Sequence, residues 1–210
     1  MNVEHVEVFV EEPSMEALLR LVLPRMLGDT SFEVYPHQCK DELLMRLPER
    51  LRGYASWLPE TWRIVVVVDR DDDDCVALKR KLDRLALEAG LPTRSAPKQK
   101  GYAVVNRVAI EELEAWYFGD WDAVRAAYPR VKPTIPSQAR YRDPDGIAGG
   151  TWEAFEHVLK NAGYFKTGLR KIEVARAVGE HMVPSRNLSR SFQSLRIALS
   201  EMAFANSGAP

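Results

Sequence analysis

Five carboxylates follow directly on an uninterrupted β-branched run: Val65-Val66-Val67-Val68 leads into Asp69-Arg70-Asp71-Asp72-Asp73-Asp74. Carboxylates crowded in this way repel one another strongly unless a cation lies between them. A second acidic strand end occurs in Val8-Phe9-Val10-Glu11-Glu12. Such side chains supply the hard oxygen ligands that magnesium prefers, and an ion held there activates a nucleophile and neutralises charge on a phosphoryl group. Asp69 and Asp71, which flank Arg70, and Glu11 therefore form a candidate catalytic and metal-binding set. Glu11 and Glu12 are not separable by residue type, because strand alternation would send them to opposite faces. Asp73 and Asp74 are instead candidate N-caps for a helix beginning at Cys75, and Ser14 is a candidate N-cap for an earlier one.

These groups need a scaffold that brings them to one edge. An apolar run such as Val65–Val68 is expected as a strand buried on both faces of a parallel sheet, and open α/β sheets bind ligands at the carboxyl ends of their strands. Strands are expected over 6–10, 32–35, 62–68 and 102–108, alternating with helices over 14–23, 41–52 and 75–89. This alternation implies right-handed βαβ crossovers. It ends near Asp120. A Pro- and Gly-rich stretch follows, and helical patterns return over 151–162, 168–181 and 189–203. The expected architecture is an α/β core over 1–120, with a mainly parallel sheet flanked by helices, and a mostly helical region over 121–210 packed on it.

Composition narrows the function. A chain of 210 residues with 46% hydrophobic and 28% charged residues can bury a sizeable core. Its net charge of −1 gives no whole-chain attraction to nucleic acid, so any basic surface must be local. Cys39 and Cys75 are too few for a disulfide framework or a zinc ligand set, which points to a reduced cytoplasmic setting. The first residues lack the basic and apolar pattern of a secretory leader, and no apolar run is long enough to span a bilayer. The four histidines have no ligand spacing, and Lys98-Gln99-Lys100-Gly101 lacks the pattern of an ATP-hydrolysing phosphate loop. The C-terminal third is locally basic. Lys171, Arg176, Arg186 and Arg190 are candidate phosphate contacts, of the salt-sensitive and sequence-independent kind. Ser189 is a candidate cap for the last helix.

A strand-end glutamate followed by a hydrophobic strand ending in Asp-x-Asp resembles the Toprim domain, the metal-binding module of topoisomerases, primases and OLD-family nucleases. Three segments carry a closer likeness: Val-Glu-Glu-Pro-Ser-x-Glu (10–16), Val-Asp-Arg-Asp-x-Asp-Asp-Cys (68–75) and Glu-Leu-Glu-Ala-Trp-Tyr-Phe-Gly-Asp (112–120). With Lys-Ile-Glu-Val-Ala-Arg (171–176) and Arg-Asn-Leu-Ser-Arg-Ser-Phe (186–192), they resemble an uncharacterised bacterial Toprim-related family, whose members often lie beside genes for ABC-type or AAA-type ATPases. The resemblance implies a nuclease or other phosphoesterase dependent on Mg2+, with Mn2+ as substitute, in an antiphage or mobile-element system with a partner ATPase. It assigns acid–base chemistry to Glu11 and metal binding to Asp69 and Asp71. It also favours Glu112 and Glu114 over Glu111 as further metal ligands. Toprim proteins usually carry glycine where this chain has Glu12, so Glu12 is either an added ligand or a mark of a non-catalytic subunit that binds an ATPase or nucleic acid.

Overall fold

Four strands, β1 (His5–Val10), β2 (Ser31–Pro36), β3 (Trp62–Asp69) and β4 (Val104–Ala109), form one all-parallel sheet in the order β2-β1-β3-β4. The computed structural model describes residues 3–99 and 101–204. β3 is the most completely buried strand, as its β-branched run requires. Three helices link the strands: α1 (Pro13–Val22), α3 (Lys40–Ala55) and α4 (Cys75–Glu88). A short helix, α2 (Pro24–Leu27), extends α1 after a one-residue break. The two faces of the sheet have separate cores. Val6, Val8, Val10, Val65 and Val67 pack on the α1 side, while Phe9, Ile64, Val66 and Val68 pack against α3 and α4. Alternate residues of each strand thus serve opposite layers.

The C-terminal half contributes α5 (Glu114–Gly119), α6 (Trp121–Ala127), α7 (Thr151–Asn161), α8 (Lys171–His181) and α9 (Arg190–Phe204). Its apolar side chains, among them Trp116, Phe155, Val178 and Leu199, belong to the same buried cluster as Leu18, Val65 and Val67. α8 lies close against α1, and Gly179 permits this approach: a Cβ there would stand 2.9 Å from Leu21 Cδ1. Arg25 braces the pair by donating to the carbonyls of Gly179 and Glu180 at the end of α8, both at 2.8 Å.

Some local expectations change. The cap position of α1 is Glu12, not Ser14, because Pro13 takes the first helical position. Ser14 lies within the first turn, and its hydroxyl donates to Glu12 Oε1. Helix α6 occupies part of the stretch after Asp120 that carries no strong helical pattern. Asp74 caps α4 by accepting from Ala77 N at 2.7 Å, and Ser189 Oγ caps α9 by accepting from Phe192 N at 3.1 Å. In the 98–101 segment, Lys98 and Gly101 exchange backbone hydrogen bonds across a tight turn, and Lys100 lies outside the described residues. Among the described residues no helix is long and apolar enough to cross a membrane.

Candidate metal centre

The sheet reverses its direction of growth at its centre: from β1 the chain builds outward to β2, then crosses back to β3 on the other side. Such a switch point opens a crevice at the carboxyl ends of the two central strands. The register pairs Val10 with Val67, which brings the ends of β1 and β3 to the same rim. Glu11 leaves β1 there, and its Oε2 accepts from the backbone N–H of Asp69 at 2.9 Å. Both carboxyls are hidden, with Glu11 8% and Asp69 4% exposed. Glu114, the first residue of α5 and 1% exposed, is near enough to act electrostatically on Asp69.

This burial is poorly compensated. Asp69 Oδ1, Glu114 Oε2 and the Tyr117 hydroxyl are buried without a hydrogen-bond partner among the described residues. Burial pushes Glu11 up to about 7; the Asp69 amide opposes this, and the charge of Asp71 adds to it. Glu114 is pushed up to about 8 by burial, against the pull of Lys171. Asp69 is raised well above the usual carboxylate range by burial and by the neighbouring charges of Glu11 and Glu114. These carboxyls give up their protons reluctantly, as buried groups of like charge do.

Two lysines stand among the acids. Lys40, at the start of α3, bonds Asp71 Oδ2 at 2.6 Å and Asp73 Oδ2 at 2.8 Å, and donates to the carbonyls of Asp69 and Arg70 at 3.0 and 3.1 Å. Asp71 has a left-handed backbone with φ 49°, a conformation that aspartate tolerates better than most residues. Its carboxylate is on the Lys40 side of the loop, so the cation between the crowded aspartates is an ammonium group of the chain itself. Lys171, on α8, reaches Glu12 Oε2 at 3.3 Å. Burial opposes its charge, but Glu114 and Glu12 outweigh that and raise its pKa.

The remaining expected site residues lie elsewhere. Glu112 Oε2 accepts from Thr151 Oγ1 at 3.0 Å and Trp152 N at 2.8 Å, so it caps α7. Glu111 pairs with Arg70. Arg186 pairs with the buried carboxylate of Asp120 at 2.7 Å, and Arg190 with Asp143 at 2.6 Å. Arg176 is exposed on α8. Of the four basic residues, Arg186 and Arg190 pair with acids of the fold, and Lys171 belongs to the carboxylate cluster.

The sequence reasoning did not find Lys40, Tyr117 or Asp120. Lys40 had a signal: a lysine in the first turn of a helix opposes the helix dipole unless carboxylates lie nearby. As they stand, no three acidic, histidine or cysteine side chains among the described residues converge on one metal position. Magnesium takes only one or two carboxylates directly and keeps several waters, so a preformed cage is not required. The donor chemistry fits such an ion: hard oxygens of Glu11, Asp69 and Glu114, two of them unpartnered. No curated protein and no solved structure matches the chain. A family model described as a domain of unknown function, DUF4276, matches residues 10–200, which include every acidic and basic residue of the site, and the chain belongs to that family.

Proposed function

We propose that the chain is a magnesium-dependent phosphodiester hydrolase acting on nucleic acid, a Toprim-like nuclease in which Asp69 and Glu114 hold the ion and Glu11 serves acid–base chemistry beside it. The observation that carries this reading is the pair of buried, unpartnered carboxylate oxygens, Asp69 Oδ1 and Glu114 Oε2, clustered with Glu11 at the switch point of the sheet. Uncompensated buried carboxylates are costly, and a divalent cation removes that cost. When bound, the ion would supply Lewis-acid stabilisation of the charge on a phosphoryl group. Glu11, pushed up to about 7, holds or releases a proton near neutrality, as a general acid–base group must. The Asp69 amide fixes its carboxylate in place. Lys40 neutralises Asp71 and Asp73 and so lowers the repulsion that an anionic substrate would meet at the rim. The motif likeness to Toprim proteins supports the same chemistry, and with it an ABC- or AAA-type ATPase as partner in an antiphage or mobile-element system.

The test is cleavage of DNA and RNA, single- and double-stranded, with Mg2+ or Mn2+, comparing the wild type with Asp69→Ala and Glu11→Ala. Activity in the wild type alone is the expected result, and equal activity in all three removes the site. One observation favours a second reading. Two ammonium groups already stand among the acids, with Lys171 on Glu12 at the position where Toprim proteins usually have glycine. On that reading the chain is a non-catalytic subunit that binds the ATPase or nucleic acid, and it would co-purify with the ATPase while binding no metal.

A further inference from the structure

β4 is an edge strand, and part of its free edge is open. Ile64 N donates to Ala103 O at 2.8 Å and Arg70 N to Ala109 O at 2.9 Å, so the backbone of odd-numbered residues serves β3 and that of even-numbered residues points away. Arg94 covers Val104 by donating to its carbonyl at 2.9 Å. Beyond it, Asn106 and Arg107 line a cleft of about 480 Å3, walled by Cys75 and Lys79 of α4 and by Arg190 and Ser194 of α9.

Two groups in this cleft are left unmatched. Lys79 pairs with Asp83 at 2.5 Å and Arg190 with Asp143 at 2.6 Å, but Arg107 makes no direct ion pair among the described residues, and Glu201 and Asp83 act on it only at longer range. Its guanidinium donates only to carbonyls, those of Ser194 at 3.1 Å and Asn106 at 3.0 Å. Burial opposes the charge of this guanidinium more than those distant carboxylates support it, and an incoming anion in direct contact offsets that cost. Asn106 is 1% exposed; its Nδ2 donates to Asp83 Oδ1 at 2.7 Å, and its Oδ1 has no partner. The nearby start of α9 is not the attraction, because the amides of Ser191 and Phe192 are already taken by Asp145 and Ser189.

The missing ligand must bring an anion for Arg107 and an N–H or O–H donor for Asn106 Oδ1, within a volume typical of small-molecule sites. We propose that the cleft along the free edge of β4 binds a nucleoside phosphate, with its phosphate on Arg107 and its base or sugar donating to Asn106. The cleft opens beside the acidic rim, since Cys75 follows Asp74 and the lining residue Ile110 precedes Glu111. The nucleoside phosphate is either a free mononucleotide or one residue of a strand. The second source rests on the nuclease reading.

The cleft carries its own reporter. Cys75 lines it, while Cys39 is exposed elsewhere. Alkylation of both thiols is followed in EDTA with adenosine 5′-monophosphate, a short 5′-phosphorylated single strand, inorganic phosphate or an acidic peptide, so the result does not depend on the metal centre. Protection of Cys75 but not Cys39 by the mononucleotide establishes a free-nucleotide site, and protection by the oligonucleotide alone establishes a strand site. Arg107→Gln is expected to weaken either ligand about tenfold, the loss typical of a hydrogen bond to a charged group. Unchanged Cys75 labelling with both nucleotide probes overturns the proposal. Equal protection by inorganic phosphate, or protection by the acidic peptide only, also overturns it.

Discussion

Asp120 and Asp69 are both almost wholly buried, at 1% and 4% exposure, and both stand at the end of a regular element, yet their surroundings are opposed. Asp120 takes the Arg186 guanidinium on both oxygens, at 2.7 and 3.1 Å, and also accepts from Val183 N at 2.8 Å and Ala123 N at 3.3 Å. Asp69 has one buried oxygen with no partner and faces the charges of Glu11 and Glu114. Where the fold uses a buried carboxylate to join the 183–186 turn to α6, it satisfies every lone pair within reach. Where it leaves one unsatisfied among others of like charge, stability has been given up, as binding sites commonly require.

Mutation separates the two sites most sharply in activity. Glu11→Gln is expected to lower cleavage by about 10²–10⁴-fold, the range for loss of a general acid–base group, with little loss of folding stability. Comparable turnover in the variant would remove Glu11 from the chemistry. Asp120→Ala should behave in the opposite way, since it releases Arg186 and strands the Val183 and Ala123 amides. The Arg186 side chain is 42% exposed and stays hydrated, so the cost falls on the stranded amides and is about 2 kcal/mol. With about 2–4 °C per kcal/mol for a chain of this size the melting temperature should fall by roughly 5 °C. Calorimetry checks this, and a shift near zero would show that the Asp120 contacts are idle.

pH distinguishes the sites next. Glu11 and Glu114, raised from 4.5 to about 7 and about 8, hold protons in the folded state that the unfolded chain has already released. Their contribution to stability is therefore fully present below the ordinary glutamate range and is lost as pH rises through 7 to 8. In EDTA the melting temperature should decline over this interval, and Glu114→Gln should flatten the decline. A wild-type profile that rises toward pH 8 would contradict the charge crowding. The smallest effect belongs to the surface: Arg176→Ala should reduce the salt dependence of nucleic-acid binding by at most about one phosphate contact, as read from affinities measured across salt concentrations.

The contrast also shows what the chain reveals before it folds. The β-branched run of β3 and the acidic ends of β1 and β3 are local signals, and the alternation of elements puts both ends on one rim; that β1 and β3 are neighbours, so that Glu11 meets Asp69, comes only from the sheet order. Asp71 acts on Glu11 by its charge, but its left-handed backbone and its pairing with the ammonium of Lys40 are not legible in the Asp-x-Asp spacing. Lys40 precedes Asp71 by the whole of α3 and β3, and no pattern along the chain ties the two together. Glu112 and Glu114 are two residues apart on one short segment, yet one caps α7 and the other is buried beside Asp69. That division depends on where α7 docks, which neighbouring residues do not encode. The pairings of the basic residues in the last third are hidden for a related reason: Arg186 and Arg190 have acidic partners far from them in sequence.

The most direct test is the melting temperature near pH 8 as Mg2+ is added to the wild type and to Asp69→Asn. If buried carboxylates at the junction of β1 and β3 await a cation, the wild type should gain several degrees in proportion to ligand binding, as about 2.7 kcal/mol at a hundredfold excess over Kd would give, while the variant should start higher in EDTA and gain little. A wild type indifferent to Mg2+, or a variant that gains as much, would contradict the account.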